Sequence, residues 1–157
     1  MNKTMNDNFT PKKDYSKIMH TTEHILNQTM VRLFGCVRSF NAHIEAKKSK
    51  CDYILDCEPT QKQIDEVITQ VNDVIAQNLD VTQEYMSLSK ASQSLDISKL
   101  PPTAGNEIRI VHVGDYDSCP CIGAHVDNTC EIGIFTVIGH DFSKGRWRIR
   151  WKILNRP

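Results

Sequence analysis

The sequence lacks the features that would place the protein in a membrane or in a secretory pathway. No stretch approaches the ~20 consecutive apolar residues needed to cross a bilayer. The N-terminal segment MNKTMNDNFTPKKDYSK has no apolar core of the kind found in secretory signals. Lys plus Arg and Asp plus Glu both number 19, so the net charge is zero. We therefore expect a cytoplasmic protein with no membrane partner, in which any polyanion would have to bind a local basic patch.

Internal repeats, low-complexity tracts and the signatures of common RNA-binding modules are also absent. What is present is an ordinary composition for a globular protein, with 39% hydrophobic and 24% charged residues in a chain of 157. This length predicts a single domain, residues 1–157, with a core of its own. The six cysteines are expected to be reduced thiols, because disulfides are rare in cytoplasmic proteins.

Hydrophobic periodicity predicts an α+β fold in which antiparallel strands form a sheet and long helices pack on one of its faces. One helix is expected over about residues 12–34. A second begins at Thr60, where Thr60 and Gln63 form a capping-box pattern ahead of a continuous apolar face. Residues 86–106 are predicted to be irregular, with a short helix before the paired prolines. Strands are predicted over residues 37–46, 51–57, 108–114, 131–139 and 146–154.

Two pairs of metal-binding residue types lie far apart in the chain, and the members of each pair are four residues apart. His20 and His24 fall within the first predicted helix, so their side chains share a face. Cys121 and His125 can converge from a glycine-containing loop, CIGAH. Nitrogen and sulfur donors of these types suit Zn²⁺ better than a hard cation. The pairs predict one zinc site that joins the two ends of the chain, with Cys121 preferred over the nearby Cys119 because of its spacing from His125.

Each pair, taken alone, also fits a different role. Two histidines on a helix are often solvated polar residues, and a cysteine is often a small buried side chain. The segment HTTEH also matches the H-x-x-E-H pattern of a class of zinc peptidases, in which the glutamate, here Glu23, acts as general base. Such peptidases have much longer chains, and their remaining zinc ligand is a carboxylate. This chain instead offers Cys121 and His125.

Several segments together resemble the editing domain of alanyl-tRNA synthetase. HTTEHILNQTMVRLFG resembles its HTAxHIL segment, PCIGAHVDNTCEIGIFTV its CGGTHV…T-x-E-I-G segment, and KGRWRI its K-G-x-x-R-I. DISKLPPT followed by IRIVHVGDYD is similar to the stand-alone forms, the AlaX trans-editing proteins. The resemblance covers about residues 15–154 and is closest to the smallest, stand-alone AlaX form. The editing domain of threonyl-tRNA synthetase is a more distant relative with a similar H-x3-H.

This resemblance implies a zinc-dependent deacylase that hydrolyses mischarged aminoacyl-tRNA, with seryl- or glycyl-tRNA for alanine as the expected substrate. An alanine site cannot exclude glycine and rejects serine poorly, so a second site is needed to remove the errors. The family's pattern implies one Zn²⁺ per chain and tRNA as the partner, with no other protein partner. Carried over by position, the metal ligands are His20, His24, Cys121 and His125.

The chain departs from the family's pattern in the expected substrate pocket, which comprises Thr21, Ile122, Gly123 and Ala124. The usual Gly-Gly-Thr between the cysteine and the histidine is here Ile122-Gly123-Ala124, which changes the shape and polarity of the loop. Glu23 stands where the synthetases usually have threonine. A carboxylate there could contact a substrate amine or a water, so Glu23 is the candidate catalytic residue. These departures leave open a zinc-stapled tRNA-binding protein that has kept the fold but not the hydrolysis.

The last predicted strand alternates basic and apolar residues. This pattern is typical of a half-buried strand with tryptophans in the core and a solvated basic face. In a protein that binds tRNA, the same face could contact backbone phosphates. The candidate tRNA-binding residues are Lys144, Arg146, Arg148, Arg150 and Lys152.

Overall fold

A computed structural model describes residues 2–95 and 107–155, and for residues 2–16 and 94 it describes the backbone alone. The elements, in chain order, are α1 (Asn2–Phe34), β1 (Asn41–His43), β2 (Ser49–Ile54), α2 (Gln61–Ala76), β3 (Val81–Ser87), α3 (Leu88–Ser94), β4 (Glu107–Val113), β5 (Asp117–Pro120), a 3₁₀ turn (Thr129–Glu131), β6 (Ile134–Ser143) and β7 (Arg146–Leu154). The strands form two antiparallel sheets, one of four strands in the order β1-β2-β7-β6 and one of three in the order β3-β4-β5. The predicted α+β class is confirmed.

Helix α1 ends where the sequence predicts. Gly35 has a φ of 67° and donates its N–H to the carbonyl of Val31, which closes the helix in the left-handed conformation that glycine tolerates. The predicted start near residue 12 is wrong, because the helix begins at Asn2 and continues through Pro11. Proline more often occupies the first turn, where its missing N–H costs nothing.

Helix α2 confirms its predicted cap. The Thr60 hydroxyl accepts the N–H of Gln63, and the Gln63 side chain accepts the N–H of Thr60 in return. Five apolar side chains of the helix are buried against the rest of the core: Ile64, Val67, Val71, Val74 and Ile75. The periodic apolar face thus fixes which side of α2 faces the core.

Strand β7 lies inside the four-stranded sheet, and its apolar side chains form the centre of the core. Trp147, Ile149 and Trp151 are completely buried, while the basic residues between them are partly exposed. Lys144 and Gly145 both have positive φ and form the two-residue turn between β6 and β7. The predicted half-buried alternation is confirmed, with the tryptophans inside.

The second sheet departs from the prediction, since neither β3 nor β5 was expected. All seven residues of β3 keep some exposure and show no clear alternation, and β5 has only four residues. Neither pattern carries the period-two signal by which a half-buried strand is recognised. The short helix expected within residues 86–106 is α3, and the rest of that stretch, 96–106, lies outside the described residues.

Within the described residues, no helix is both long enough and apolar enough to cross a bilayer. All six cysteines are free thiols, as predicted.

Candidate metal centre

Three side chains from opposite ends of the chain converge between α1 and the loop that follows β5. The ligand atoms of His24, Cys121 and His125 all lie within 4.8 Å of one another. His24 and His125 are buried, and their rings meet edge to face with centroids 4.6 Å apart. Of the four ligands predicted from sequence, the structure brings these three together, and His20 is outside the group.

The three donors fit a zinc ion in chemistry, and one pair of them also fits it in spacing. Zn–N bonds of about 2.0 Å and Zn–S bonds of about 2.3 Å at tetrahedral angles separate neighbouring donors by about 3.3–3.6 Å. Cys121 Sγ lies 3.3 Å from His125 Nε2, close to that spacing. Two imidazoles and one thiolate are ligands that Zn²⁺ prefers. Three protein donors also leave one tetrahedral position open, as in catalytic zinc sites.

His24 is supported by a buried acidic residue that the motifs did not single out. Its Nδ1 lies 3.4 Å from Asp117 Oδ2, an ion-pair distance longer than a well-formed hydrogen bond. Asp117 accepts two further bonds from Arg38 at 2.7 and 3.3 Å and one from Gln28 at 2.9 Å. The carboxylate thereby directs the other nitrogen of His24 into the site, as acidic residues commonly do behind metal-binding histidines.

His125 is held by Thr21, which lies on α1. The Thr21 hydroxyl donates to the carbonyl of Lys17 and accepts the N–H of Val126, at 2.8 and 3.2 Å. Since its single proton is used on Lys17, the oxygen accepts from His125 Nδ1 at 3.0 Å. That tautomer leaves the lone pair of Nε2 free to face Cys121. Thr21 is completely buried and positions His125, and its predicted place in the substrate pocket stays a prediction.

The CIGAH loop is held by Arg109 from β4. Its guanidinium donates to the carbonyls of Cys121 and Gly123 at 3.0 and 2.6 Å, and to the side chain of Gln83 at 2.6 Å. The Gly123 N–H points at Cys121 Sγ, 3.3 Å away. Arg109 therefore fixes the loop, and the Gly123 amide stabilises negative charge on the sulfur.

The electrostatics separate the two candidate cysteines. Burial would raise the pKa of Cys121, but the contact with His24 and the Gly123 N–H outweigh it and hold that pKa below its ordinary value. Burial raises the pKa of Cys119 to about 11, with Asp117 adding to the effect. Cys121 is therefore the better thiolate ligand, as its spacing predicts.

The two imidazoles have opposite shifts. Burial lowers the pKa of His125 to about 3, and the positive His24 contributes to the same shift. Burial also works against charge on His24, but its contacts with Asp117 and Cys121 raise its pKa to about 9. Asp117 keeps a pKa below its ordinary value in spite of its burial, because His24 and Arg38 face it. Asp117 and the Cys121 thiol are two acidic groups beside buried imidazoles, and together they form an environment that favours a cation.

The other predicted residues of the site lie at its edge. His20 is partly exposed, and its Nδ1 lies 3.8 Å from Glu23 Oε1. Ile122 exposes 82% of its surface and Ala124 is also exposed, so both stand at the rim of the loop. The site thus has two buried imidazoles and a partly exposed thiol, with His20, Glu23 and Ile122 at its rim.

The predicted basic strand is less free than its sequence suggests. Arg148 donates two hydrogen bonds to the buried Asp52, at 2.7 and 2.9 Å. Arg146 and Arg150 share Asp141, at 2.7 and 3.0 Å. Lys144 lies in the β6–β7 turn, and Lys152 has no ion pair within the described part of the chain. Three of the five candidate tRNA-binding residues therefore already have acidic partners.

Comparison with known proteins agrees with the resemblance carried by the motifs. Residues 108–150 match the family model described as "Threonyl and Alanyl tRNA synthetase second additional domain". An alanine–tRNA ligase from Leptospira biflexa is 28% identical over 120 residues, which are 76% of this chain and 13% of the ligase. The chain is AlaX-like, and most of it is similar to the editing domain of alanyl-tRNA synthetases.

Other alanine–tRNA ligases give the same result. The protein from Bacillus cytotoxicus is 28% identical over 120 residues, 76% of this chain and 14% of the ligase. That from Pseudoalteromonas translucida is 27% identical over 128 residues, 81% of this chain and 15% of the ligase. The chain therefore spans only about a seventh of the length of the curated relatives that it matches.

Sequence reasoning missed the residues that support the ligands, namely Asp117, Arg38 and Arg109. Asp117 stands four residues before Cys121, and an acidic residue so close to a candidate ligand was a usable signal. Arg38 and Arg109 are isolated basic residues, and no local pattern distinguishes them from solvated arginines. Arg38 is 79 residues from Asp117, and Arg109 is 12 and 14 residues from the two loop carbonyls that it bonds, so only the fold brings these groups together.

Proposed function

We propose that the protein is a zinc-dependent deacylase that acts in trans on mischarged aminoacyl-tRNA. The observation that carries the proposal is the convergence of His24, Cys121 and His125 in a chain that is AlaX-like. The expected substrate is seryl- or glycyl-tRNA for alanine, the expected cofactor is one Zn²⁺ per chain, and the expected location is the cytoplasm. The similarity to alanyl-tRNA synthetases supports a role in tRNA editing.

A bound zinc would polarise the ester carbonyl of the substrate or lower the pKa of a water molecule beside it. The chain's own residues prepare that chemistry. Asp117 and Thr21 hold the two imidazoles in fixed orientations, and Arg109 holds the loop that carries Cys121. Because these supports are buried or bonded on several sides, the donors are preorganised and the open side of the site is left for the ester.

His20 remains the proposed fourth ligand, and with it bound the substrate would have to enter by expansion of the zinc coordination to five. It lies one helical turn before His24, and its charge contributes to lowering the pKa values of Cys121 and His125, so the ring is near both. Its present neighbour is Glu23, and a small rotation would be needed for it to join the group. We expect His20→Ala to weaken zinc binding less than His24→Ala, since His24 is buried and held by Asp117.

Glu23 is the proposed proton acceptor or amine-binding group. Its side chain exposes 17% of its surface at the rim, beside His20. There it could accept a proton from the attacking water or pair with the α-amino group of the substrate. Ile122 and Ala124 on the opposite rim would contact the amino-acid side chain. Glu23→Gln is expected to lower kcat while zinc content stays unchanged.

The deciding experiment measures release of the amino acid from charged tRNA. Seryl- and glycyl-tRNA for alanine should be deacylated by the purified protein, and correctly charged alanyl-tRNA should persist. Cys121→Ala should abolish the reaction and Cys119→Ala should preserve it, because the two cysteines are two residues apart but only Cys121 belongs to the donor group. If no charged tRNA in a full panel is hydrolysed, the proposed function is wrong.

Metal content gives an independent test. Elemental analysis should find about one zinc per chain in the native protein and in Cys119→Ala, and almost none in Cys121→Ala. Equal zinc in both variants would contradict the site itself, whatever the activity.

A second candidate is a zinc-stapled tRNA-binding protein without hydrolysis. The observation that favours it is the loop Ile122-Gly123-Ala124, whose isoleucine exposes 82% of its surface where the family usually has glycine. This candidate predicts tight tRNA binding with no turnover, and unfolding on zinc removal. The H-x-x-E-H peptidase has less support, since the donor group contains only one of the two histidines of that pattern.

A further inference from the structure

The outward face of the four-stranded sheet carries two neighbouring rows of side chains with different charge balance. In the first row, Arg148 lies directly across from Asp52 on one side and from Asp141 on the other. Its two bonds to Asp52 neutralise it within the sheet. This row holds two aspartates and one arginine, so it carries no excess of positive charge.

The next row contains no acidic residue. It runs from His43 on β1 through Lys50 on β2 and Arg150 on β7 to Gly139 on β6, each directly opposite the next. Like charges directly opposite each other in an antiparallel pair destabilise the sheet. Arg150 forms an ion pair with Asp141 of the first row. Lys50 has no ion pair within the described part of the chain.

These residues surround a hollow of about 330 Å³ at the edge of the sheet, which we call the basic hollow. Gly139, at the far end of the row, leaves the surface open, because a Cβ there would meet nothing within 4 Å. The side chains around the basic hollow are His43, Glu45, Lys48, Ser49, Lys50 and Arg150.

The charge around the basic hollow is uneven. Among the lining residues, Lys48, Lys50 and Arg150 face one carboxylate, Glu45, whose exposed oxygen lies 3.8 Å from His43; Arg150 also shares Asp141 with Arg146. In a protein with zero net charge, this leaves a local excess of positive charge. A concave basic surface raises the local concentration of anions and favours a polyanion over a single charged group.

The basic hollow is connected to the metal centre by a short segment. Arg38 bonds Asp117 beside His24, and His43 follows it by five residues. An extended chain spans at most ~3.6 Å per residue, so the Cα atoms of Arg38 and His43 are no more than about 18 Å apart. This short segment keeps the basic hollow near the side of the metal centre that Asp117 and Arg38 occupy.

We propose that the basic hollow binds backbone phosphates of an RNA whose aminoacylated 3′ end occupies the metal centre. This inference rests on the proposed deacylase function, because that function supplies the RNA. The unfavourable pairing of Lys50 with Arg150 is relieved when a phosphate lies between them. Functional surfaces commonly carry such local conflicts, which lower stability in the free protein and increase affinity for the ligand.

The test compares two double variants that remove the same charge. One is Lys48→Gln with Lys50→Gln in the basic hollow. The control is Lys62→Gln with Lys90→Gln, two exposed lysines on α2 and α3. Binding of uncharged alanine tRNA is measured by fluorescence anisotropy over a range of salt concentrations. Each lost phosphate contact lowers the slope of log K against log salt by about 1.

The basic-hollow variant is expected to reduce the salt slope by about 2, and the control variant to leave it unchanged. Thermal unfolding provides a second measurement. Removing Lys50 from opposite Arg150 should leave the melting temperature unchanged or slightly higher, whereas a purely structural lysine would lower it. Equal slopes in the two variants, or a melting temperature lowered only in the basic-hollow variant, would overturn the proposal.

Steady-state deacylation separates this inference from the function on which it rests. With charged tRNA, the basic-hollow variant should raise KM and leave kcat unchanged, since the reacting groups are untouched. Deacylation with an unchanged KM would refute the basic hollow alone. Absence of deacylation in the native protein, with the difference in salt slope retained, would refute the proposed function and leave the RNA surface supported.

Discussion

Two buried aspartate–arginine pairs of similar geometry lie in different parts of the molecule. Asp117 binds Arg38 with bonds of 2.7 and 3.3 Å, and Asp52 binds Arg148 with bonds of 2.7 and 2.9 Å. Both carboxylates are almost completely shielded from solvent, with 0% and 3% of the side chain exposed. The two pairs differ in what else each carboxylate touches.

The third partner decides the role of each pair. Asp52 accepts its further bond from Asn41, so all of its partners belong to the four-stranded sheet. Asp117 also faces His24 at 3.4 Å and accepts from Gln28, and both of these residues lie on α1. The same chemical pair therefore holds strands together in one place and orients an imidazole of the candidate metal centre in the other.

The strongest test of this comparison replaces each aspartate by asparagine, which keeps its size and removes its charge. Asp117→Asn should weaken zinc binding by about 10- to 100-fold, because residues behind metal-binding histidines commonly have effects of that size. Asp52→Asn should leave zinc affinity within about twofold of the native value. Competition with a chromophoric chelator at neutral pH measures both, and circular dichroism checks that each variant is folded. Equal losses in the two variants would end the distinction between the pairs.

A smaller effect is expected from two buried threonines on α1. Thr21 bonds His125 and Val126 across the site, whereas Thr29 bonds Tyr116 at 2.7 Å, and each also bonds the carbonyl four residues before it. Thr21→Val should weaken zinc binding about fivefold, the equivalent of losing about 1 kcal/mol of hydrogen bonding. Thr29→Val should lower stability but leave zinc affinity unchanged. The same chelator competition applies, and a loss of affinity in Thr29→Val would show that α1 acts on the site only as a whole.

The smallest effect concerns acid stability and involves the sheet pair alone. The bonds from Arg148 outweigh burial and lower the pKa of Asp52, and Asn41 adds to the effect. A carboxyl with a depressed folded pKa stabilises the protein fully above its unfolded pKa of about 3.9 and loses that contribution as the pH falls through the folded value. Native protein should therefore be more stable than Asp52→Asn at neutral pH, and the difference should shrink below about pH 4. Urea unfolding at several pH values measures it, and a difference that does not change with pH would contradict the assignment.

Sequence reasoning succeeded where local signals were strong. The capping box at Thr60 and Gln63 located α2, and the strict alternation of β7 identified both its buried tryptophans and its basic face. Reasoning failed for β3 and β5, which are exposed or very short, and at the start of α1, which continues through Pro11. Hydrophobic periodicity in a sequence reveals an element that buries one of its faces. An element that is exposed on both faces, or very short, shows little periodicity and is missed.

The candidate site shows the same limit. Cys121 and His125 were predicted by their spacing, and the fold brings His24 to them from almost 100 residues earlier. His20 has the same spacing signal as His24 but lies outside the donor group, because only His24 faces inward against Asp117. Spacing on a helix places two side chains on one face but does not determine which of them reaches the centre.

Local patterns in the sequence were sufficient to identify the α+β class, the amphipathic helix α2, the alternation of β7 and the residue types suited to zinc. Each of these features depends on residues that are near one another in the chain. The roles of Asp117 and Thr21 in orienting the imidazoles became visible only in the folded protein, as did the pairing of Arg148 with Asp52, which Lys50 lacks. Those outcomes depend on contacts between residues that are tens of positions apart, and they form only when burial of the core brings the segments together.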